Sequence, residues 1–467
     1  MKNRKQAVNP YLPNWEYIPD GEPYVFDGRV YIYGSHDQYD GAVFCLRDYV
    51  CWSAPVDDLG NWRYEGVIYP KTADPLNPDG AMCLYAPDVT KGPDGRYYLY
   101  YVLDKVSIVS VAVADTPAGP FAFYGYVHYE DGTKLGDREG DEPQFDPGVL
   151  TEGDETYLYT GFCGQGDKSR HGAMYTVLGP DMLTIIEAPQ IIVPGSCYSE
   201  GTGFEGHAFF EAPSIRKRGD TYYFVYSSEV MHELCYATSK SPAGPFTYGG
   251  VLVSNCDLHI DSYKAADKPT AAGANNHGSI VEIGDDWYIF YHRHTCGNWY
   301  SRQGCAEKIR ILEDGSIPQV EMTSCGLNGG PLSDTEEYPA HIACNLFSDQ
   351  TGIYVEPNNP RIVQEYGVTG QEPSFIRDIT DSTVIGFKYF DFQNVKGIRL
   401  KVRGYAGGYF EILTALDGEV LGKVEVGYRN IWTVFESKFE PKNGVSPLYL
   451  RYKGDGTAQL FSFEFIH

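Results

Sequence analysis

The most constraining feature of this sequence is a short pattern that occurs five times at nearly even spacing. Each copy is a Gly/Asp turn followed by a run of aromatic and β-branched residues, and successive copies begin roughly 65 residues apart. A tight turn beside such a run is typical of a β-hairpin. The copies begin at Asp27, Asp94, Gly153, Gly219 and Gly284. Because amphipathic helical periods are scarce along the chain, the sequence predicts an all-β fold.

Five hairpin units of similar length predict a β-propeller. Each unit has enough further strand sequence for a four-stranded blade, so we expect five such blades around one axis. A stack of β-sandwiches is the alternative, and the even spacing between residues 20 and 300 argues against it. A Gly/Pro/Ser-rich stretch near residues 315–340 lacks the repeat. We therefore assign residues 1–325 to the propeller and residues 326–467, with short alternating strands, to a β-sandwich.

Charge and composition exclude several classes of partner. The formal net charge is −26, and such a surface repels phosphate backbones and anionic lipids, so we expect neither nucleic acid nor membrane as a partner. The 11 cysteines lie apart without a CxxC pair, which is typical neither of a zinc framework nor of a disulfide scaffold. No segment has the apolar core of a signal peptide, and none is long enough to span a membrane. A cytoplasmic protein is the expectation.

A polar residue lies roughly six to eight residues before each of the five turns. These residues are Asp20, Asp88, Asp146, Glu211 and His277. The innermost strand of each blade lines the channel of a propeller, so equivalent positions are predicted to converge at the axis. Each residue alone has an ordinary interpretation, because Asp before Pro or Gly is common in turns. Their shared position in all five repeats favours a functional site.

Carboxylates that converge in this way are suited to acid–base chemistry, because mutual repulsion drives their pKa values apart. Hydrolysis of a glycosidic bond uses one protonated carboxylic acid and one ionised carboxylate. Glu211 follows two phenylalanines, whose apolar surroundings favour the protonated acid. Asp20 is then the candidate for the base, and Asp146 for the carboxylate that keeps the acid protonated and orients it.

In these segments the sequence resembles glycoside hydrolase family 43 over residues 8–315. The matching segments, in chain order, are NPYLPNWEYIPDGEPYVF, the APD motif at Ala86–Asp88, the DP motif at Phe145–Pro147, EAPS at Glu211–Ser214 and HGS at His277–Ser279. The resemblance implies a five-bladed propeller and an inverting mechanism that needs no cofactor. It also implies Asp20 as general base, Asp146 as the residue that tunes and orients the acid, and Glu211 as general acid.

The resemblance and the positions of other residues extend the candidate site. His277 matches an axial histidine that in many family members approaches a calcium ion through water, so a structural calcium is expected there. Four residues are candidates for substrate binding, by resemblance or by position near the motifs: Arg302, Tyr85, His207 and Trp299. Arg302 resembles an arginine that contacts the substrate or Asp146. Tyr85 stands where the usual residue before the APD motif is tryptophan.

The C-terminal region resembles a family 6 carbohydrate-binding module more loosely. The resemblance depends on GFKYFDF at residues 386–392, on Trp432, and on the closing strands. No pair of stacking aromatic residues stands out in this region. Sugar binding and simple support of the propeller both remain open as its role.

Three functional hypotheses follow from the sequence. The first is an exo-acting glycosidase on plant cell-wall oligosaccharides, with α-L-arabinofuranosidase as the prime activity and β-xylosidase or endo-arabinanase as alternatives. The second is a retaining enzyme of the sucrose and fructan type, which is also five-bladed, but its NDPNG, RDP and ECP motifs are not found in the propeller. The third is a non-catalytic sugar-binding propeller whose acidic ring only holds a cation.

Overall fold

The computed structural model of this protein confirms the all-β fold. It describes residues 6–258, 268–365 and 373–467. Helical structure in this part of the chain is limited to four short 3₁₀ turns, at Lys71–Ala73, Ser196–Tyr198, Gly326–Asn328 and Ala340–Ile342. Within the same described ranges, no helix is both long and apolar enough to cross a membrane.

Five consecutive antiparallel sheets form the blades of a propeller, as predicted. Blade one contains β1 (Glu22–Phe26), β2 (Arg29–Tyr33), β3 (Tyr49–Pro55) and β4 (Arg63–Tyr69), and blade two contains β5 (Asp88–Lys91), β6 (Tyr97–Tyr101), β7 (Ser110–Ala114) and β8 (Ala122–Tyr126). Blade three contains β9 (Gly148–Glu152), β10 (Glu155–Thr160), β11 (Gly172–Leu178) and β12 (Ile185–Pro194). Blade four contains β13 (Phe209–Arg218), β14 (Thr221–Ser228), β15 (Glu233–Ser239) and β16 (Thr247–Ser254), and blade five contains β17 (Ile280–Ile283), β18 (Asp286–Arg293) and β19 (Gln303–Ile309).

The repeated turns join the first and second strands of the blades. In blade one, for example, Val25 pairs with Val30 across the turn. All five turns contain a glycine with φ between +61° and +85°, namely Gly28, Gly95, Gly153, Gly219 and Gly284. This left-handed backbone strongly favours glycine, which explains why the same turn chemistry recurs in every repeat.

Blade five has three strands among the described residues, which corrects the expectation of four strands in every blade. The N-terminal segment lies along its outer edge instead. The amide of Tyr11 donates to the carbonyl of Gly304 at 3.2 Å. The side chain of Asn9 donates to the carbonyl of Ala306 at 2.9 Å and accepts from its amide at 3.0 Å. The beginning of the chain thereby closes the ring against its last blade.

The residues after the propeller form a β-sandwich-like region. Its strands are β20 (Leu332–Ser333), β21 (Glu337–Pro339), β22 (Asn345–Phe347), β23 (Arg361–Gln364), β24 (Ser374–Ile379), β25 (Val384–Phe392), β26 (Gly397–Leu413), β27 (Gly422–Val426), β28 (Arg429–Lys438) and β29 (Gly444–Ile466). Strand β26 pairs along its whole length with residues 449–466 of β29. Aromatic side chains of β25 and β29 fill the core, among them Phe387, Phe390 and Phe463.

Two contacts fix this region against the propeller. The buried ammonium of Lys388 pairs with Asp257 at 3.0 Å and with Glu321 at 3.2 Å. A C-terminal loop also bonds to the propeller backbone, because Gly273 donates to the carbonyl of Ile353 at 2.7 Å and accepts from the amide of Val355 at 3.0 Å. A buried ion pair requires a defined geometry, so the ion pairs of Lys388 and the backbone bonds of the loop together hold the C-terminal region against the propeller.

Candidate active site

The five equivalent polar residues lie at the inner ends of the blades. Asp20, Asp146 and His277 come just before the first strands of their blades, whereas Asp88 begins β5 and Glu211 lies within β13. All five side chains are buried. Four of them line one cavity, and Asp88 does not. The shared sequence position thus places four of these side chains at a common centre, whereas the carboxylate of Asp88, predicted to converge with them, accepts hydrogen bonds from the Tyr24 hydroxyl and the Val149 amide instead.

The cavity has a volume of about 310 Å³ and a largely aromatic wall. Its lining residues are Asp20, Phe44, Cys45, Tyr85, Ala86, Phe145, Asp146, Phe162, Phe210, Glu211, Met231, Asn275, His277, Trp299 and Arg302. Three of the four predicted substrate-binding residues, Tyr85, Trp299 and Arg302, are among them. A small apolar cavity with a few convergent polar groups is typical of a small-molecule site.

Backbone conformation helps to direct the carboxylates into this cavity. Asp20 and Asp146 have φ values of 57° and 44°, in the left-handed region. Aspartate tolerates that region better than most residues, yet it still has an energetic cost, and such positions cluster at functional sites. Gly148, two residues after Asp146, permits close blade packing, since a Cβ there would lie 2.2 Å from the Pro213 carbonyl oxygen.

Asp20 is surrounded by positively charged and hydrogen-bonding groups. The guanidinium of Arg302 donates to its carboxylate at 3.0 Å, and Nδ1 of His292 lies 3.2 Å from the same oxygen. Burial alone would raise the pKa of Asp20, but Arg302 and His292 outweigh burial and lower the pKa well below its usual range. The carboxylate of Asp20 is therefore ionised at neutral pH.

Arg302 is held in place by Asp37, not by Asp146. Its Nε and Nη2 donate to the two carboxylate oxygens of Asp37 at 2.8 and 3.0 Å. Its guanidinium carbon lies 4.7 Å from the centre of the Phe44 ring. This paired geometry fixes the guanidinium beside Asp20.

Glu211 and Asp146 have the opposite electrostatic character. Burial raises the pKa of Glu211 to about 8, and the charge of Asp146 contributes to the increase. Burial likewise raises the pKa of Asp146 to about 7, with Asp20 contributing and His277 acting in the opposite direction. One cavity thus contains an ionised carboxylate and a carboxylic acid that keeps its proton at neutral pH.

His277 lies between the carboxylates. Its Nδ1 is 3.7 Å from Asp146 and 4.0 Å from Asp20, while its Nε2 faces Glu22 at 3.7 Å. Burial opposes protonation, but Glu22 together with Asp146 and Asp20 raises the pKa of His277 to about 9. A protonated imidazole therefore lies at the floor of the cavity.

Comparison with known proteins decides the family of this chain. The sequence signature described as "Glycosyl hydrolases family 43" matches residues 16–317. The chain is also 68% identical over 467 residues to a protein of Thermoclostridium stercorarium named "Xylosidase/arabinosidase", covering 98% of this chain and 99% of that protein. The chain belongs to glycosyl hydrolase family 43. It is accordingly a glycoside hydrolase, and the family's chemistry needs no cofactor.

Solved structures of family 43 agree with the observed architecture. An arabinoxylan arabinofuranohydrolase from Bacillus subtilis, determined with cellotetraose, shares the fold over 99% of both chains with a TM-score of 0.54 and 22% sequence identity. A β-xylosidase/α-arabinofuranosidase from a compost metagenome, determined with xylotriose in a calcium-free form, is 27% identical. It covers 68% of this chain and 98% of its own, with a TM-score of 0.52.

The groups around His277 do not fit the calcium ion that the family resemblance implies. Calcium prefers six to eight oxygen ligands, whereas the carboxylate that Nε2 of His277 faces, that of Glu22, already pairs with the cation Arg216. Arg216 donates to Glu22 at 2.6 Å, and Ser214 donates to the same oxygen at 3.0 Å. The carboxylate that faces His277 is therefore already neutralised by protein groups, and no step of the chemistry is assigned to a metal here.

We expect added calcium to leave the hydrolytic activity of this protein unchanged. Since Arg216 already pairs with Glu22, the carboxylate that faces Nε2 of His277 needs no added ion to neutralise it. The measurement is the rate of hydrolysis of an aryl glycoside by chelator-dialysed protein as CaCl₂ is titrated to millimolar concentration. A saturable increase in rate would show that the axial charges are not balanced by the protein.

His207 does not reach the cavity, which corrects its prediction as a substrate-binding residue. It lies in the turn before β13, where its ring stacks on Tyr248 at 4.9 Å and its Nδ1 lies 3.3 Å from Glu233. Extended chain advances about 3.3 Å per residue. Four residues of separation from Glu211 are therefore enough to carry the side chain away from the site.

Several residues that line the cavity were not predicted as substrate-binding residues from the sequence. Phe145 and Phe210 directly precede predicted carboxylates, so the motifs themselves contained a signal for them. Phe44, Phe162 and Met231 lie on connections outside the repeat. No periodic pattern marks such loop residues, because their approach to the cavity depends on how the blades are arranged.

Proposed function

We propose that this protein is an inverting, exo-acting glycosidase that removes terminal α-L-arabinofuranosyl residues from arabinoxylan-derived oligosaccharides of the plant cell wall. Removal of terminal β-D-xylosyl residues is proposed as its second activity. The observation that carries the proposal is the opposite protonation of Asp20 and Glu211 within one small cavity. Such a pair is what glycosidic hydrolysis by acid and base requires.

In the proposed reaction, Glu211 donates its proton to the glycosidic oxygen as the bond from that oxygen to the anomeric carbon breaks. Asp20 accepts a proton from a water molecule, whose oxygen bonds to the anomeric carbon from the opposite face of the sugar. The products are a free pentose of inverted configuration and the shortened oligosaccharide. Afterwards Asp20 holds a proton taken from water, Glu211 is ionised because its proton has left with the leaving group, and exchange with solvent restores both groups.

Asp146 and Arg302 act on the protonation states of this pair. The charge of Asp146 raises the pKa of Glu211 and keeps the acid protonated. Arg302, fixed by Asp37, keeps Asp20 ionised and directs its carboxylate. The roles assigned to the three carboxylates by sequence are thus supported by different neighbours in space.

The pentose specificity is supported by the relatives and by the size of the cavity. The protein of Thermoclostridium stercorarium is named for both a xylosidase and an arabinosidase activity. A cavity of about 310 Å³ with one aromatic wall suits a single terminal sugar better than a long internal segment. Arabinofuranose and xylopyranose have similar hydroxyl arrangements, so one site accommodates both.

Activity on a panel of aryl glycosides tests the proposed function. We expect hydrolysis of aryl α-L-arabinofuranoside and, more slowly, of aryl β-D-xyloside. Aryl glucosides and galactosides are the comparison substrates, and a pentose-specific enzyme should hydrolyse them poorly. Glu211→Ala is the matched inactive variant. The proposal would be refuted if the wild-type protein were as inactive as Glu211→Ala on every sugar of the panel.

Substituting Asp146 with asparagine should move the alkaline limit of activity to lower pH. In the wild-type protein, kcat/KM should fall as pH rises through about 8, where Glu211 loses its proton. The Asp146→Asn substitution removes a neighbouring negative charge, so it lowers the pKa of Glu211. The measurement is the pH profile of kcat/KM, with Asp131→Asn as an exposed control. An unchanged or higher alkaline limit would contradict the proposed role of Asp146.

A further inference from the structure

A second cavity adjoins the candidate active site. It has a volume of about 270 Å³ and is lined by Gln165, Phe210, Glu229, Val230, Met231, His232, Ile353 and Tyr354. Phe210 and Met231 also line the first cavity. The two cavities are therefore neighbours that share the side chains of Phe210 and Met231 in their walls.

The wall of the second cavity includes residues of the C-terminal region. Tyr354 stacks on Trp299, with ring centres 5.8 Å apart and an angle of 24° between the planes. Trp299 itself lines the first cavity. Tyr354 is 47% exposed, which is high for a large aromatic side chain. Its backbone is nevertheless fixed, because the residues immediately before and after it both form hydrogen bonds with Gly273. The C-terminal region thus adds an exposed aromatic surface at the mouth of the site.

We propose that Trp299, Ile353 and Tyr354 form a platform that binds the sugar to which the cleaved pentose is attached. This inference rests on the proposed function, and it assigns that sugar as a xylosyl unit of a neutral xylo-oligosaccharide. Aromatic rings present a flat apolar face to the C–H groups of a sugar ring. Gln165 and Glu229, across the second cavity, supply polar groups for its hydroxyls.

The platform gives the C-terminal region a direct part in substrate selection. Binding energy from a remote unit of the substrate contributes to orientation of the bond that is cleaved. A substrate with an aryl leaving group lacks the xylosyl units and does not use the whole platform. A comparison of the two classes of substrate therefore distinguishes the contribution of the platform to activity from that of the catalytic carboxylates.

The test compares Tyr354→Ala with the wild-type protein on two substrates, an aryl α-L-arabinofuranoside and an arabinosylated xylotriose. We expect the ratio of kcat/KM for the oligosaccharide to that for the aryl substrate to fall about tenfold. Tyr405→Ala, at another exposed tyrosine of the C-terminal region (76% exposed), is the matched control and should leave the ratio unchanged. A ratio that Tyr354→Ala does not alter would overturn the inference.

A binding measurement separates failure of this inference from failure of the proposed function. Xylotriose is titrated by calorimetry into Glu211→Gln protein, with and without Tyr354→Ala. Weaker binding in the double variant supports the platform even if the protein hydrolyses no arabinoside. Equal binding in both proteins would overturn the platform even if the enzyme is an active arabinofuranosidase.

A separate cluster outside the cavity is formed by His207, Glu233 and Cys235, and we call it the His207 cluster. Nδ1 of His207 lies 3.3 Å from Oε2 of Glu233 and 4.0 Å from Sγ of Cys235, and that oxygen lies 3.7 Å from the sulfur. Ligand atoms bound tetrahedrally to zinc at its usual bond lengths are about 3.3–3.6 Å apart. The three atoms thus nearly form one face of such a tetrahedron.

The fold holds the three side chains of the His207 cluster together. Glu233 and Cys235 are two residues apart on β15, so their side chains point to the same side of the strand. Both are buried, whereas the side chain of His207 is 35% exposed. Tyr248 of β16 stacks on the imidazole and fixes its plane. Solvent can therefore reach a fourth coordination position while the protein supplies the other three.

We infer that the His207 cluster binds Zn²⁺ through the imidazole, the carboxylate and the thiolate, with water as the fourth ligand. Binding releases the thiol proton of Cys235 to solvent and leaves the oxidation state of the metal unchanged. The ion would connect the turn before β13 to β15. Because Glu211 lies in β13, metal binding would stiffen the strand that carries the proposed acid.

Titration of chelator-dialysed protein with Co²⁺, a coloured substitute for Zn²⁺, tests the second inference. We expect one equivalent to bind with a near-ultraviolet thiolate-to-cobalt absorption band, which one equivalent of Zn²⁺ abolishes. Cys235→Ser should remove the band, whereas Cys197→Ser, at a partly exposed cysteine outside the cluster, should retain it. His207→Ala, which removes a partly exposed ligand, should weaken Co²⁺ binding at least about tenfold. A missing band in wild-type protein, or a band retained in Cys235→Ser, would overturn this inference.

Discussion

Replacing Glu211 with glutamine should lower kcat/KM on an arabinosylated xylo-oligosaccharide by about 10³-fold, within the range of 10²–10⁴ typical of a general acid. Glutamine has nearly the same shape as glutamic acid but has no proton of suitable acidity to give to the leaving oxygen. The sugar alkoxide that leaves from a natural linkage is a strong base, so its departure depends on that proton. The loss should appear mainly in kcat, because the cavity wall is unchanged.

The choice of leaving group makes this prediction specific to an acid. A dinitrophenyl glycoside has a leaving group that is stable as an anion and needs little protonation. We therefore expect Glu211→Gln to retain far more of the wild-type rate on the dinitrophenyl substrate than on the oligosaccharide. Glu205→Gln, at an exposed glutamate that precedes β13, is the control and should behave as wild type. Equal losses on both substrates would argue that Glu211 only supports the shape of the site.

Replacing Asp20 with asparagine should also lower kcat/KM by about 10³-fold, but by the same factor on both substrates. Asparagine still accepts a hydrogen bond from Arg302, so the geometry around the guanidinium is retained. It cannot take a proton from water. Because attack by water is needed whatever the leaving group, a good leaving group does not rescue the variant.

The two substitutions together form one test of role assignment. Sensitivity to the leaving group in Glu211→Gln, and its absence in Asp20→Asn, would assign the acid to one residue and the base to the other. Circular dichroism and thermal unfolding of both variants check that each is folded. If Asp20→Asn proved sensitive to the leaving group and Glu211→Gln did not, the two roles would have to be exchanged.

The strands and the carboxylates could be predicted from the sequence because both repeat. Gly28 and its four counterparts recur since the turn requires a left-handed residue, and Asp20, Asp146 and Glu211 occupy equivalent positions before those turns. That blade five has three strands within the described ranges could not be predicted in this way. The outer edge of blade five is covered by the Asn9 side chain, and a single side chain of this kind produces no repeating pattern in the sequence.

The protonation states and the outer wall of the site depend on spatial neighbours that are distant in sequence. Asp20 is ionised because Arg302 contacts it across 282 residues. The axial position is filled by Arg216 paired with Glu22, which a family resemblance could not reveal. Tyr354 reaches Trp299 only because the C-terminal region packs on blade five. Such features follow from how the blades and the two regions are arranged, and single motifs do not encode them.

The measurement that tests the account most directly is the anomeric configuration of the pentose at the moment of its release. Proton NMR, recorded during the first minutes of hydrolysis of an aryl α-L-arabinofuranoside, distinguishes the two anomers before they interconvert. We expect β-arabinose to appear first, because water activated by Asp20 attacks the face opposite the leaving group. Initial release of α-arabinose would mean that a carboxylate bonds to the sugar, and it would contradict the assignment of Asp20 as a base.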